Sequence, residues 1–226
     1  MPEANTAKET TASIRSGERP LVAVLDYGIG NLRSAQKGLQ VVGADARLTN
    51  DVKLIADAHA VVLPGVGNFG ACMNALREGG LEQSVFAAVE SKRPFLGICV
   101  GMQMLFETSQ ESPGVKGLGL LQGEIEWLPE GVQRPQMQWN RLKVLNHDEL
   151  FEGLSENPWM YFVHSLSAVP AERSVVAATC SYGQDLVAAV RHKNIFATQF
   201  HPEKSATEGL RILGNFVNSC AVIASR

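Results

Sequence analysis

The apolar positions of this chain follow two rhythms. From Leu21 to Glu107 short continuous apolar runs alternate with stretches at helical spacing. Leu21-Val22-Ala23-Val24-Leu25 has the length and composition of a strand buried on both faces, and Leu32, Ala35, Leu39 and Val42 then mark a helix that stops near Gly43. A strand over Ala46 to Thr49, a short helix from Asp51 and a third strand, Ala60-Val61-Val62-Leu63, follow. Helical patterns cover Cys72 to Arg77 and Leu81 to Ser91, ahead of the run Pro94-Phe95-Leu96-Gly97-Ile98-Cys99. This alternation predicts an α/β fold: a parallel sheet covered on both faces, with its site at the C-terminal ends of the strands.

After Glu107 short strands take over: Glu124 to Leu128, Arg141 to Leu145, Met160 to Val163, Val175 to Ser181, Leu186 to Arg191 and Ile195 to Phe200. Turn residues such as His192-Lys193-Asn194 separate several of them, so the second half is expected to add antiparallel strands, closed by a helix from about Ala206 to Ala221. Residues 1 to about 18 carry almost nothing apolar and read as a disordered leader, which leaves 19–226 as a single domain.

Charge and cysteine usage narrow the function. A formal net charge of -3 argues against a nucleic-acid binder. No apolar run reaches the roughly 18 residues of a membrane span, and the start lacks a signal-peptide pattern. The four cysteines, Cys72, Cys99, Cys180 and Cys220, have no metal-type spacing and suit reduced thiols in a cytoplasm. Gly28-x-Gly30 lacks the third glycine of a dinucleotide fingerprint, since position 33 is Arg, and the adjacent side chains of His147-Asp148-Glu149 diverge on a loop. Neither a cofactor nor a metal is implied.

The chemistry concentrates at Gly97-Ile98-Cys99-Val100-Gly101-Met102-Gln103. It reads as a strand, a tight turn and a helix continuing past Met104, with the cysteine at the apex. A lone cysteine among Ile, Leu and Val is usually a small buried hydrophobe. Glycines on both sides change that reading, because they permit a sharp turn and close backbone approach. The first unpaired N–H groups of the following helix would then favour a thiolate. In Pro64-Gly65-Val66-Gly67 the glycines free the Val66 backbone to aim its N–H into a cavity. The last long strand is expected to end in His201-Pro202-Glu203, where side chains i and i+2 project together and a carboxylate fixes the imidazole tautomer. Nucleophile, base, orienting carboxylate and oxyanion donor make up the set for acyl transfer through a thioester.

The elbow around Cys99 and the terminal His201-Pro202-Glu203 resemble those of the class I (triad) glutamine amidotransferases. Within that family, Asp26-Tyr27-Gly28 with Gly30-Asn31-Leu32, then Pro64-Gly65-Val66-Gly67, Tyr161-Phe162-Val163-His164-Ser165 and His201-Pro202-Glu203-Lys204-Ser205, are similar to the branch of imidazole glycerol phosphate synthase glutaminase subunits. The resemblance runs from about residue 21 to the end and implies a flavodoxin-like, mostly parallel central sheet. It also implies that Cys99 attacks the side-chain amide of L-glutamine while His201, oriented by Glu203, transfers the protons. The N–H groups of Val100 and, after a backbone reorientation, Val66 would hold the oxyanion. Gly65, Gly67, Gln103 and Ser165 match glutamine-binding positions. Asn31, Trp139 and Lys204 match the face toward a (βα)8-barrel cyclase subunit, which would take up the ammonia in a heterodimer.

Two segments depart from the family pattern. Pro135-Gln136-Met137-Gln138-Trp139-Asn140 stands where Pro-His-Met-Gly-Trp-Asn is usual, and Leu166 stands where an aromatic residue is common. Both are expected to face the glutamine site or the partner. A paralogue feeding another synthase and a non-catalytic docking subunit remain as alternatives. His164 is open between a functional place and a satisfied structural histidine, while Cys72, Cys180 and Cys220 read as packing residues.

Overall fold

The computed structural model describes residues 18–223, so the expected leader lies outside the described residues apart from Glu18. The first half alternates as its pattern predicts: β1 (Leu21–Leu25), α1 (Leu32–Val41), β2 (Asp45–Thr49), α2 (Val52–Asp57), β3 (Ala60–Gly65), α3 (Phe69–Glu78), α4 (Glu82–Glu90) and β4 (Phe95–Cys99). One helical turn, α5 (Val100–Gln103), follows directly. The second half holds β5 (Thr108–Ser109), β6 (Gly123–Trp127), β7 (Gln136–Arg141), β8 (Lys143–Val144), β9 (Trp159–His164), β10 (Leu166–Pro170), β11 (Val176–Tyr182), β12 (Gln184–His192), β13 (Ile195–Thr198) and α6 (Ala206–Ile223).

Eight strands form the central sheet in the order β2-β1-β3-β4-β13-β12-β11-β8. The first five run parallel, and β12, β11 and β8 extend the sheet antiparallel. Val22 to Leu25, Ala60 to Leu63 and Phe95 to Ile98 are all buried, as continuous apolar runs require in a sheet with both faces covered. Chain order reverses between β1 and β3, and the right-handed crossovers that parallel strands favour would put α1 on one face and α2 and α4 on the other. α1 packs against α6, and α2 against α4. The crevice at that reversal opens above the C-terminal ends of β1, β3 and β4. Two smaller sheets, β10-β6-β5 and β7-β9, stand beside it.

Three expectations are corrected. The helix after Cys99 stops at Gln103 rather than running past Met104. Met104, Leu105 and Phe106 are all fully buried, so their apolar run reflects descent into the core and not a helical face. Cys99 is therefore followed by a single helical turn in place of a long helix. The strand expected over Arg141 to Leu145 is two strands, β7 and β8, broken at the fully buried Leu142. The last parallel strand ends at Thr198, and Pro202–Lys204 is a single 3-10 turn. Among the described residues no helix is long and apolar enough to cross a membrane.

Candidate active site

The backbone at Cys99 takes φ 56 and ψ -113, a conformation that side-chain-bearing residues rarely adopt. Such strain marks a nucleophile elbow, where a residue is turned out of the sheet at the strand-to-helix junction. Its neighbours make the turn possible. A Cβ on Gly97 would meet Gly101 O at 3.0 Å and Ala197 Cβ at 3.1 Å, and a Cβ on Gly101 would sit 1.9 Å from Leu63 O. The elbow is thus seated on the end of β3 at a distance open only to glycine. It presents Cys99 to a cavity of about 580 Å³ shared with Val66, Gly67, Val100, Gln103 and His201.

Both side chains of the His–x–Glu pair are buried, and His201 Nδ1 lies 2.8 Å from Glu203 Oε1. The sequence expectation of two side chains leaving one strand is replaced by a turn. His201 is the last extended residue, and the 3-10 turn begun by Pro202 swings Glu203 back beneath the ring. Ser205 clips this turn. Its hydroxyl donates to His201 O at 2.6 Å and accepts from the Tyr161 N–H at 3.0 Å, while the His201 N–H donates to Tyr161 O at 3.0 Å. His201 Nε2 is buried without a partner, which leaves it free for a reacting group in the cavity. Burial would lower the imidazole, but the nearby Cys99 sulfur and the hydrogen-bonded Glu203 carboxylate outweigh it and raise it to about 9.

The turn after β3 is held from both sides. The Tyr27 hydroxyl donates to Pro64 O at 2.5 Å and the Cys72 thiol to Val66 O at 3.3 Å, with Gly67 at φ +86. Gly65 pairs with Cys99 in the parallel ladder, and a Cβ there would lie 2.8 Å from Gly101 N. Pro64 has no N–H, so the alternation of that ladder turns the Gly65 carbonyl toward the first amide of the elbow, Val100. The carbonyl of Gly65, and not an N–H, is therefore the group of this peptide that faces the elbow.

Gln103 is buried at the cavity wall. Its amide NH2 donates to Gln199 Oε1 at 2.9 Å and to Leu166 O at 3.5 Å, so its carbonyl oxygen is the atom left for a ligand. Ser165 and Leu166 line the same wall, between β9 and β10. His164 is a satisfied structural histidine. Its Nδ1–H donates to Leu166 O at 2.7 Å, and Nε2 faces the Gln136 side-chain amide at 2.8 Å. A neutral ring protonated on Nδ1 can only accept at Nε2, so the amide presents its NH2 group there. The departure at Gln136 is therefore a buried partner of His164 behind the cavity wall.

Burial, with a smaller contribution from His201, lowers His164 to about 4 although its bond to Leu166 O opposes this. The unfolded chain binds a proton at His164 below pH about 6.5 that the folded chain refuses until about 4, so stability falls as pH drops through that window. The contribution is about 3 kcal/mol at 1.36 kcal/mol per pH unit. His201 has the opposite sign: its stabilisation is complete below pH about 6.5 and is lost as pH rises to about 9. Thermal unfolding of His164→Gln between pH 7 and 4 is expected to lose much of the acid slope of the parent chain. An unchanged slope would assign acid sensitivity to other groups.

Asn31 and Lys204 lie at the cavity edge, where Asn31 Nδ2 donates to Glu203 Oε1 at 3.5 Å. Trp139 lies on the outer face of the β7–β9 ribbon, packed edge-on against Tyr161 with ring centroids 5.9 Å apart. Met137 and Trp159 are also exposed on that face. Asp148 and Glu149 both pair with Arg191, and burial raises Cys72 and pushes Cys180 and Cys220 up to about 12. Two residues of the site had no assigned role in the sequence, Gln199 and Ser205, the latter named only as the end of the His201 to Ser205 block. Each sits beside the His-Pro-Glu block, and only the fold shows what it touches.

Residues 24–220 match the family described as glutamine amidotransferase class-I. The imidazole glycerol phosphate synthase subunit HisH of Geobacter metallireducens is 47% identical over 207 residues, covering 88% of this chain and 99% of the relative. The proteins of the same description from Syntrophotalea carbinolica and Methanothermobacter thermautotrophicus are 46% and 47% identical, each covering 87% of this chain and 98% of its own. A solved glutamine amidotransferase superposes with a TM-score of 0.70 at 26% identity, covering 88% of this chain and 98% of that one. PurLQS from Thermotoga maritima superposes with a TM-score of 0.69 at 21% identity, covering 92% of this chain and all of its own. With the elbow, the buried His–Glu pair and the parallel sheet beneath them, these matches establish that the chain belongs to the class I glutamine amidotransferases.

Proposed function

We propose that this chain is the glutaminase subunit of an imidazole glycerol phosphate synthase, hydrolysing L-glutamine to glutamate and ammonia for histidine biosynthesis. The observation that carries the reading is one cavity joining the strained Cys99 to His201, whose Nδ1 is held by Glu203. The Cys99 sulfur attacks the side-chain amide carbon of glutamine, and the carbonyl becomes an oxyanion facing the N–H groups of Val100 and Val66. Imidazolium at His201 protonates the departing nitrogen, ammonia leaves, and a glutamyl thioester remains. His201 then takes a proton from water, which attacks the thioester to release glutamate and regenerate the sulfur. Gln103, Ser165 and the backbone at Gly65 and Gly67 bind and frame the glutamine.

Asn31, Lys204 and the exposed face carrying Trp139 receive a (βα)8-barrel cyclase subunit, in a cytoplasmic heterodimer that passes it the ammonia. The Gly65 carbonyl in front of the Val100 amide gives the isolated subunit an off state. Loss of one oxyanion donor typically costs about 3 kcal/mol, or roughly 100-fold in rate. Glutamine hydrolysis is therefore expected to be faint for the chain alone and to rise at least about 100-fold with the cyclase subunit and its nucleotide substrate. Full activity without the partner would contradict the off state, and activity indifferent to the cyclase would contradict the assignment of partner.

A further inference from the structure

Behind the cavity a chain of buried side-chain amides ends on the nucleophile. The Leu166 carbonyl can only accept, and it takes the Nδ1–H of His164 at 2.7 Å and an N–H of Gln103 at 3.5 Å. That fixes which end of the Gln103 amide carries nitrogen, so Gln103 also donates to Gln199 Oε1 at 2.9 Å. With its oxygen committed, Gln199 turns its Nε2–H group to Cys99 Sγ at 3.7 Å. Gln199 is fully buried and its own backbone N–H is tied to Ala188 O at 2.8 Å, so neither the residue nor its amide is free to turn away. A second contact of the sulfur is Val163 O at 3.9 Å, which accepts from the thiol and offers nothing to a thiolate, and His201 stands on the cavity side.

We propose that Gln199 is a catalytic residue of this site, donating its side-chain N–H to the Cys99 sulfur and holding it as a thiolate aimed into the cavity, with Gln103 positioning Gln199 for that bond. The proposal rests on the glutaminase reading for its catalytic consequence but not for its chemistry, which concerns the sulfur alone. A donor to an ionised acceptor makes a stronger bond than one to a neutral acceptor, so the Gln199 contact selects the charged form. The other titratable groups around the sulfur are His201 with Glu203 behind it, Tyr27 and Cys72 on the side of the Val66 turn, and Glu111, His164 and Lys204 elsewhere in the cavity lining. None of them is altered by a change at Gln199.

The test is the pH profile of Cys99 alkylation by iodoacetamide in the isolated full-length chain, read by mass spectrometry for parent, Gln199→Met and Gln199→Glu. Gln199→Met, nearly the same shape without the donor, is expected to move the midpoint up by about one pH unit, a tenfold loss of thiolate on the acid side. Gln199→Glu, placing a carboxylate against the sulfur, should move it further in the same direction. With the cyclase subunit present, Gln199→Met should lower kcat for glutamine about tenfold or more and leave KM near the parent value, because the lost bond is to the sulfur and not to glutamine. A folded Gln199→Met with the parent alkylation profile overturns the proposal. Should that variant not fold, Gln103→Met decides by the same profile, since it releases the Gln199 amide from its hold. Shifted alkylation in a chain that hydrolyses no glutamine would keep the sulfur chemistry and reject the glutaminase reading, so the two failures are distinct.

Discussion

Cys99→Ala is expected to abolish glutamine hydrolysis, by about 10,000-fold or more, measured as glutamate release with the cyclase subunit present. Such a size follows from what the side chain does. Without the sulfur there is no thioester, and water would have to attack an amide directly with only oxyanion donors to help. Folding should survive the change: Cys99 is buried, but it contributes one small side chain beside a cavity, and its φ of 56 is imposed by the flanking backbone. Alanine carries the same φ strain as cysteine, so no new strain is introduced. Residual activity within about tenfold of the parent would remove Cys99 from the mechanism.

Gly101→Ala is expected to have the largest effect on stability. The added Cβ would lie 1.9 Å from Leu63 O and 2.9 Å from Leu63 C, so the opposing atoms belong to backbone, and no rotamer change relieves the contact. Overpacking against movable side chains costs about 1–3 kcal/mol, and a backbone clash in the central ladder should exceed the top of that range. The better helix propensity of alanine returns only about 1 kcal/mol. A net loss of at least 2 kcal/mol corresponds to roughly 4–8 °C in Tm for a chain of this size, against a total stability of about 5–15 kcal/mol. Because β3 must move to make room, the Val66 turn should shift with it, and activity should fall further than stability. A Gly101→Ala chain with the parent Tm would show that the elbow is not seated on Leu63.

The sequence is most legible where burial is uniform. Val22 to Leu25 and Ala60 to Leu63 are apolar throughout because both faces of their strands are covered, and their bounds follow to within two residues. β7 has the reverse problem. Its apolar residues, Met137 and Trp139, lie on the exposed face, and the residue turned inward is Gln136, so a search for a buried apolar face passes over the strand. In the elbow, Cys99, Gly97 and Gly101 announce a turn, since only close backbone approach needs glycine on both sides. The length of the helix after it does not show, because burial of Met104, Leu105 and Phe106 in irregular chain looks like helical spacing.

The site divides the same way. Cys99, His201 and Glu203 are chemically conspicuous, and the structure gathers them at one end of the sheet. The manner of delivery is not in the pattern, because a strand end and a 3-10 turn after His201 read alike over three residues. Gln199 and Ser205 are ordinary polar residues in sequence. Their place appears only when the Gln199 amide is found 3.7 Å from the sulfur and the Ser205 hydroxyl 2.6 Å from His201 O.

Whether glutamine is held and attacked by Cys99 in this cavity is decided by covalent capture. A glutamine analogue bearing a diazoketone in place of its amide is incubated with the chain and cyclase subunit, with and without excess L-glutamine, and the modified peptide is identified by mass spectrometry. One adduct per chain is expected, on Cys99, slowed by glutamine and absent from Cys72, Cys180 and Cys220, all of which are buried and pushed toward the thiol. An adduct on another cysteine, or labelling of Cys99 that glutamine does not slow, would contradict this.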